Sequence, residues 1–334
     1  MPDAEPATAP PTTRDEQVPW RAPVRGGHPD RALAARPGIE FLRAFLAGDI
    51  PAPPLSRLTG MAPVQLTADC AQYTLPVSGW LCADDGRVPL GLLAIPADAA
   101  MACAIIADLP AGTAITTSEL ALRQVRPARP GGTLLTTATV VGSAQPASPV
   151  ALAEVTVTDD SGALIARGGS LCVILPDISA EDWDGGPPPA EMRSADLGPD
   201  PWERPAPAAG LSRLTGLTVR AIAPGEATFA LPATRWLCAP PPGRVQGGAV
   251  AMLAGAAIDG AMQTAAPAGS RFVPLELKLN YLRPLASDGR EATAHATLVH
   301  GGRRTAVARA DVADADGRAI AVASGSAIAE RVDS

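Results

Sequence analysis

Aromatic side chains are scarce. Five Trp, two Tyr and four Phe make up 3% of the 334 residues. A core from this chain must be built from Ala, Val, Leu and Ile. Histidine is nearly missing too: only His28, His295 and His300 are present. None has a Cys, Asp or Ser at a familiar spacing, so neither a metal site nor a catalytic triad is expected. The five Cys (Cys70, Cys82, Cys103, Cys172, Cys238) form no CxxC pair and read as small buried apolar residues of a reduced protein. No run of 18 apolar residues occurs, and no charged-then-apolar segment opens the chain. Neither a membrane partner nor a secretory route is therefore expected, and a cytoplasmic setting is. The net charge is −7, with 27 Lys and Arg against 34 Asp and Glu. No basic face is offered to nucleic acid or to anionic lipid.

What the chain has is an internal repeat. Leu55-Ser56-Arg57-Leu58-Thr59-Gly60 recurs as Leu211-Ser212-Arg213-Leu214-Thr215-Gly216, and Trp80-Leu81-Cys82-Ala83 as Trp236-Leu237-Cys238-Ala239, both at a shift of 156. One extra residue enters near Pro240-Pro241-Pro242. Gly86-Arg87-Val88 then meets Gly243-Arg244-Val245, Pro110-Ala111-Gly112 meets Pro267-Ala268-Gly269, and Arg126-Pro127 meets Arg283-Pro284, all at a shift of 157. Residues 88–127 thus align without a gap. A period this long means a duplicated domain and not a solenoid.

The 36 Pro and 32 Gly cluster at the N-terminus, in the middle and in loops. Residues 1–36 read as a disordered arm, 37–176 as domain 1, 177–208 as a Pro-rich linker and 209–331 as domain 2. Ile39–Leu46 carries apolar residues at helical spacing and stops near Gly48. In each copy a strand (72–77; 227–232) leads through a Gly/Pro loop into an Ala-rich run, 91–107 or 248–265, with the length of a buried helix. Strand-like runs follow, in copy 2 at 273–282, 291–300, 305–313 and 319–329. Alternation is plain in Leu275-Glu276-Leu277-Lys278-Leu279-Asn280-Tyr281. The class is α+β, each copy an antiparallel sheet wrapped around one helix.

Copy 2 runs Val245-Gln246-Gly247-Gly248, then the helix, then Leu279-Asn280-Tyr281-Leu282-Arg283-Pro284. In order and spacing this resembles the PaaI-type hotdog-fold acyl-CoA thioesterases, and the resemblance spans both copies. It implies two fused hotdog domains and a cofactor-free thioesterase acting on an acyl-CoA or acyl-carrier thioester. It also implies self-association of the double hotdog into a dimer. In that family a helix carboxylate of one hotdog faces the N–H at the helix start of the other. The physics fits: thioester hydrolysis needs a positioned base or nucleophile and a donor for the oxyanion.

The family motif is His-Gly-Gly with an Asp nine residues after the His. Copy 1 has Pro89, Leu90, Gly91 and Asp98 at those places; copy 2 has Gln246, Gly247, Gly248 and Gly255. A Ser or Thr ten residues before the strand Pro survives as Thr117 in copy 1, where copy 2 has Pro274. One composite site is therefore expected: Asp98 and Thr117 from copy 1, Gln246 and Gly247 from copy 2. Gly248, Asn280, Arg283 and Arg126 are the expected substrate contacts. Asp259, one turn past Gly255, is the alternative acid. The family's upstream Asn falls at Pro240, which cannot replace it. Three other readings stay open at this level. Asp98 could be a first-turn acid behind Pro96; the half-sites could belong to a decayed protein that only binds an apolar ligand or acts as a scaffold; the fold could carry a hydratase, although no His lies near Asp98.

Overall fold

A computed structural model describes residues 18–29, 36–143, 149–175, 199–240 and 242–332. The segments 1–17 and 30–35 of the expected arm, and 177–198 of the expected linker, lie outside the described residues.

The Ala-rich runs form two 17-residue helices, α3 (Leu90–Ile106) and α5 (Gly247–Gln263). Their sequences are apolar nearly all round, so they are buried nearly all round. Three shorter helices precede them: α1 (Gly38–Ala47), α2 (Pro54–Thr59) and α4 (Gly210–Thr215). The first ends at Gly48 in the left-handed conformation (φ 83°), which a residue without Cβ adopts at little cost. The repeated hexapeptide supplies α2 and α4, each capped by its own glycine, Gly60 or Gly216.

Copy 1 contributes β1 (Ala62–Leu66), β2 (Ala71–Pro76), β3 (Ala114–Gln124), β4 (Thr133–Ser143), β5 (Val150–Thr158) and β6 (Leu164–Leu175). Copy 2 contributes β7 (Thr218–Ala223), β8 (Glu226–Pro232), β9 (Ser270–Tyr281), β10 (Glu291–Gly301), β11 (Thr305–Ala313) and β12 (Ala319–Arg331). All twelve join one antiparallel sheet in the order β1-β2-β4-β5-β6-β3-β9-β12-β11-β10-β8-β7. The halves meet at β3–β9, where Leu120 faces Leu279 and Leu122 faces Leu277. Ion pairs cross the same seam, Arg123–Glu276 directly opposite and Glu119–Lys278 on the diagonal. The edge strands β1 and β7 escape the sequence reading because they lie exposed and bury no alternating face.

The scarcity of aromatics shows in the packing. Ala292, Ala294 and Ala296 of β10 and Ala306, Ala308 and Ala310 of β11 form a flat inner face, and α5 lies against it. The two long helices also meet each other. A Cβ on Gly91 would lie 3.0 Å from Met252 Cα, and one on Gly255 would lie 3.2 Å from Gly91 Cα. Gly248 abuts Ala94 and Ile95 in the same way. Backbones this close leave no room for side chains at the crossing.

One expectation is corrected. The first 36 residues read as an arm unable to pack, yet 18–29 pack onto copy 2. Trp20 lies against Gly216, and Trp236 Nε1 donates to Ala22 O (3.0 Å). The segment before copy 2 does the reciprocal on copy 1: Trp202 lies against Gly60, and Trp80 Nε1 donates to Arg204 O (2.8 Å). The amphiphilic Trp provides the reason, since its ring is buried and its N–H finds a carbonyl. The hexapeptide helices cross over as well: Leu55 N–H donates to Cys238 O and Leu211 N–H to Cys82 O.

Candidate active site

Asp98 sits in the middle of α3, with Pro96 inside the same helix. It is therefore not a first-turn acid. Its side chain is 6% exposed. A buried carboxylate must find donors, and both come at short range. Thr117 Oγ1 of β3 donates to Asp98 Oδ1 (3.0 Å), and the Gly248 N–H of the other copy donates to Asp98 Oδ2 (3.2 Å). Burial raises the Asp98 pKa to about 6, and the bonds from Thr117 and Gly248 hold it from rising further.

The partner group is the start of α5. Gln246 is the residue before the helix, and its Nε2 donates to Ile95 O of α3 (2.9 Å). Its Oε1 is buried without a hydrogen-bond partner. Gly247 is the first helical residue, so its N–H has no intrahelical acceptor, and the positive end of the helix dipole lies there. The Gly247 carbonyl accepts from Tyr281 Oη (2.8 Å). A Cβ on Gly247 would stand 3.0 Å from Asp98 Oδ2 and 3.4 Å from Tyr281 Oη; the glycine is what lets the acid and the helix start meet.

Asp98, Thr117, Gln246, Gly247 and Arg283 all line one cavity of about 520 Å³ between the two copies, a size usual for small-ligand sites. Three cationic side chains, Arg36, Arg244 and Arg283, are among the lining residues. From Asp98 the wall runs along α3 through Ala99, Ala102, Cys103 and Ile106 to Phe41 and Phe45 of α1. Tyr73 Oη sits 3.1 Å from Cys103 Sγ in that wall, and burial pushes the thiol up to about 11.

The other expected contacts are placed differently. The Gly248 N–H is taken by Asp98 and its Cα by α3, so Gly248 faces the acid. Asn280 is exposed and lines no part of the cavity. Strand alternation explains this: Leu277, Leu279 and Tyr281 point inward, so Lys278 and Asn280 point out. The inward residue of that motif, Tyr281, is the one the sequence reading passed over, and the alternation in 275–281 held the signal. Arg126 is exposed and away from the cavity, with Asp159 as its charged neighbour. Asp259 lies apart from Asp98, beside Arg87 and Asp85; burial raises its pKa to about 7, against the pull of Arg87. Among the described residues no group of His, Cys, Asp and Glu could hold a metal, and no helix is long and apolar enough to cross a membrane.

A continuous sheet of two six-stranded halves around two long helices, with an acid of one helix at the start of the other, defines a double hotdog protein. The sequence profile of the thioesterase superfamily matches residues 243–321. The phenylacetic acid degradation protein PaaI from Thermus thermophilus, in a mutant structure, is 31% identical to this chain over 36% of it and 97% of its own length, with a TM-score of 0.32. A hot dog fold protein from Alicyclobacillus acidocaldarius is 12% identical, covering 84% of this chain and 100% of its own (TM-score 0.54). Acyl-CoA thioesterase II TesB2 from Mycobacterium marinum is 11% identical over 84% of this chain and 98% of its own (TM-score 0.52). No curated protein matches the chain in sequence. The chain belongs to the thioesterase superfamily of hotdog-fold proteins, and thioester hydrolysis is the chemistry that membership supports.

Proposed function

We propose that the chain hydrolyses an acyl-CoA thioester at one composite site between its two copies. The observation that carries this reading is the meeting of the Asp98 carboxylate of copy 1 with the free helix start at Gly247 of copy 2, on the wall of a single cavity.

With a pKa of about 6, Asp98 is ionised at neutral pH and close enough in basicity to take a proton from water. A water between Asp98 and the unpartnered Gln246 Oε1 would give one hydrogen to each acceptor. Its oxygen attacks the thioester carbonyl carbon while Asp98 receives the proton. The carbonyl oxygen gains the negative charge and is met by the Gly247 N–H and the α5 dipole. Collapse of the intermediate breaks the carbon–sulfur bond. The departing thiolate recovers the proton from Asp98, leaving a carboxylic acid and a free thiol. Thr117 keeps the Asp98 carboxylate aimed and charged. Gln246 thus takes the place of the family His without titrating itself. Arg244 and Arg283, which line the same cavity, suit the phosphates of the CoA moiety.

The test is a turnover panel of short, aryl and long acyl-CoAs together with acyl-carrier thioesters, on the wild type and on Asp98→Asn. Hydrolysis by the wild type and its loss in the variant are expected. Tight binding of acyl-CoA by the wild type with no release of thiol would replace hydrolysis by a holding role, and equal turnover in the two proteins would refute the site.

A further inference from the structure

We infer that α1 closes the far end of the acyl chamber and that Phe41 and Phe45 set the longest acyl group the site accepts; this rests on the thioesterase reading of the same cavity.

The helix belongs to one copy only. The Pro-Trp turn and the hexapeptide occur in both, but Trp20 and Leu55 are 35 residues apart, whereas Trp202 and Leu211 are 9 apart. The longer spacing of copy 1 contains α1. The shorter spacing of copy 2 has no room for such a helix, since α4 begins at Gly210. The position of α1 is fixed by α3: the Gly38 N–H donates to Leu109 O (3.0 Å), and the Gly38 Cα rests on the Ile106 carbonyl so closely that no Cβ would fit. Leu42 on the inner side is fully buried. Phe41 and Phe45, one turn apart, face the cavity.

The chamber has a definite length. The reacting carbonyl must lie near Asp98 and the start of α5. From there the wall follows α3 past the small side chains of Ala99 and Ala102 to Ile106, where α1 abuts. Asp98 and Ile106 are just over two turns apart, about 12 Å along the axis. An extended chain advances about 1.2 Å per bond, a third of the 3.6 Å that three backbone bonds span. An acyl chain of about eight to ten carbons therefore reaches the phenyl rings. Longer chains must displace them.

The experiment is a length series of straight-chain acyl-CoAs, from four to sixteen carbons. It is run as hydrolysis by the wild type, Phe41→Ala/Phe45→Ala and Ala102→Leu, and as binding to these forms in an Asp98→Asn background. In the wild type kcat/KM should peak at about eight to ten carbons and fall beyond. The double Phe variant should gain about tenfold on sixteen carbons relative to eight, the scale on which apolar pockets discriminate methylenes. Ala102→Leu, which fills the chamber midway, should move the optimum to shorter chains. An unchanged length profile in both variants would overturn the inference while leaving hydrolysis intact. Absence of hydrolysis in the wild type, with a length limit in binding that moves with the Phe substitutions, would overturn the hydrolytic reading and keep this one. Binding without any length limit would overturn it as well.

Discussion

The two copies share a fold and differ at the few positions where chemistry would occur. Asp98 faces the helix start of copy 2; its counterpart Gly255 packs on Gly91 and Leu277, either of which would stand 3.2 Å from an added Cβ. Gly247 leaves a free N–H beside a cavity; its counterpart Leu90 is a fully buried hydrocarbon. Thr117 bonds the acid, and Pro274 has no hydroxyl. Tyr281 pins the Gly247 carbonyl, where copy 1 has Gln124 with an unpartnered Oε1. The mirror position is packed, and its nearest acid, Asp259, has Arg87 and Asp85 for neighbours instead of a helix start. A symmetric scaffold has thus been filled on one side and opened on the other. The difference lies in a few side chains on two helices and their neighbouring strands.

The comparison breaks most sharply at Asp98. Asp98→Asn should lower kcat by about 10²–10⁴, the span of a general base, in a steady-state thiol-release assay. The same substitution should stabilise the protein at neutral pH. The folded-state pKa of Asp98 lies near 6, above its ordinary value of 3.8, so the folded protein holds this proton more tightly than the unfolded chain does. The cost of burying the charge is absent below pH 3.8, grows between there and pH 6, and is fully present above; it is about 3 kcal/mol. Denaturation of the two proteins at pH 4 and pH 7 should show the gap opening with pH.

Gly247→Ala comes next. The methyl group would press on Asp98 Oδ2 and Tyr281 Oη, pushing the N–H donor off its line, and kcat should fall about 10- to 100-fold with KM little changed. A smaller effect is expected from Thr117→Val. Loss of its bond to Asp98 raises the acid's pKa further, so the alkaline-rising limb of the pH–rate curve, centred near pH 6 in the wild type, should move to higher pH. Turnover at pH 6 should drop about tenfold, a fair value for one hydrogen bond to a charged group, and should recover in large part at pH 8. Asp259→Asn should leave turnover at the wild-type level, and a loss there as deep as that of Asp98→Asn would erase the asymmetry between the copies.

The sequence carried much of this because duplication gives each copy a reference. Aligned without a gap across 88–127, the copies expose Asp98 against Gly255 and Gly247 against Leu90, and the fold follows from alternating strands around an apolar helix. The role of Gly248 was not legible, since only the close crossing of α3 and α5 turns its N–H onto Asp98. Nor was the packing of residues 18–29. Composition marks that segment as poor in core residues, yet the Trp20 ring and the hydrogen bond accepted by Ala22 O help hold it on copy 2, and those depend on partners some 200 residues away. The edge strands β1 and β7 left no trace because exposed strands have no periodicity to read.

The β3–β9 seam has a further consequence. A pair of separate hotdogs must find each other, and the fraction of assembled sites then falls on dilution. Here the two half-sites travel on one covalent chain, at an effective concentration set by the tether and independent of how much protein is present. With the one composite site proposed above, a molecule of twofold shape would take a single equivalent of ligand. Calorimetric titration of the Asp98→Asn protein with an intact acyl-CoA should reach saturation at one per chain, and specific activity should hold constant through dilution.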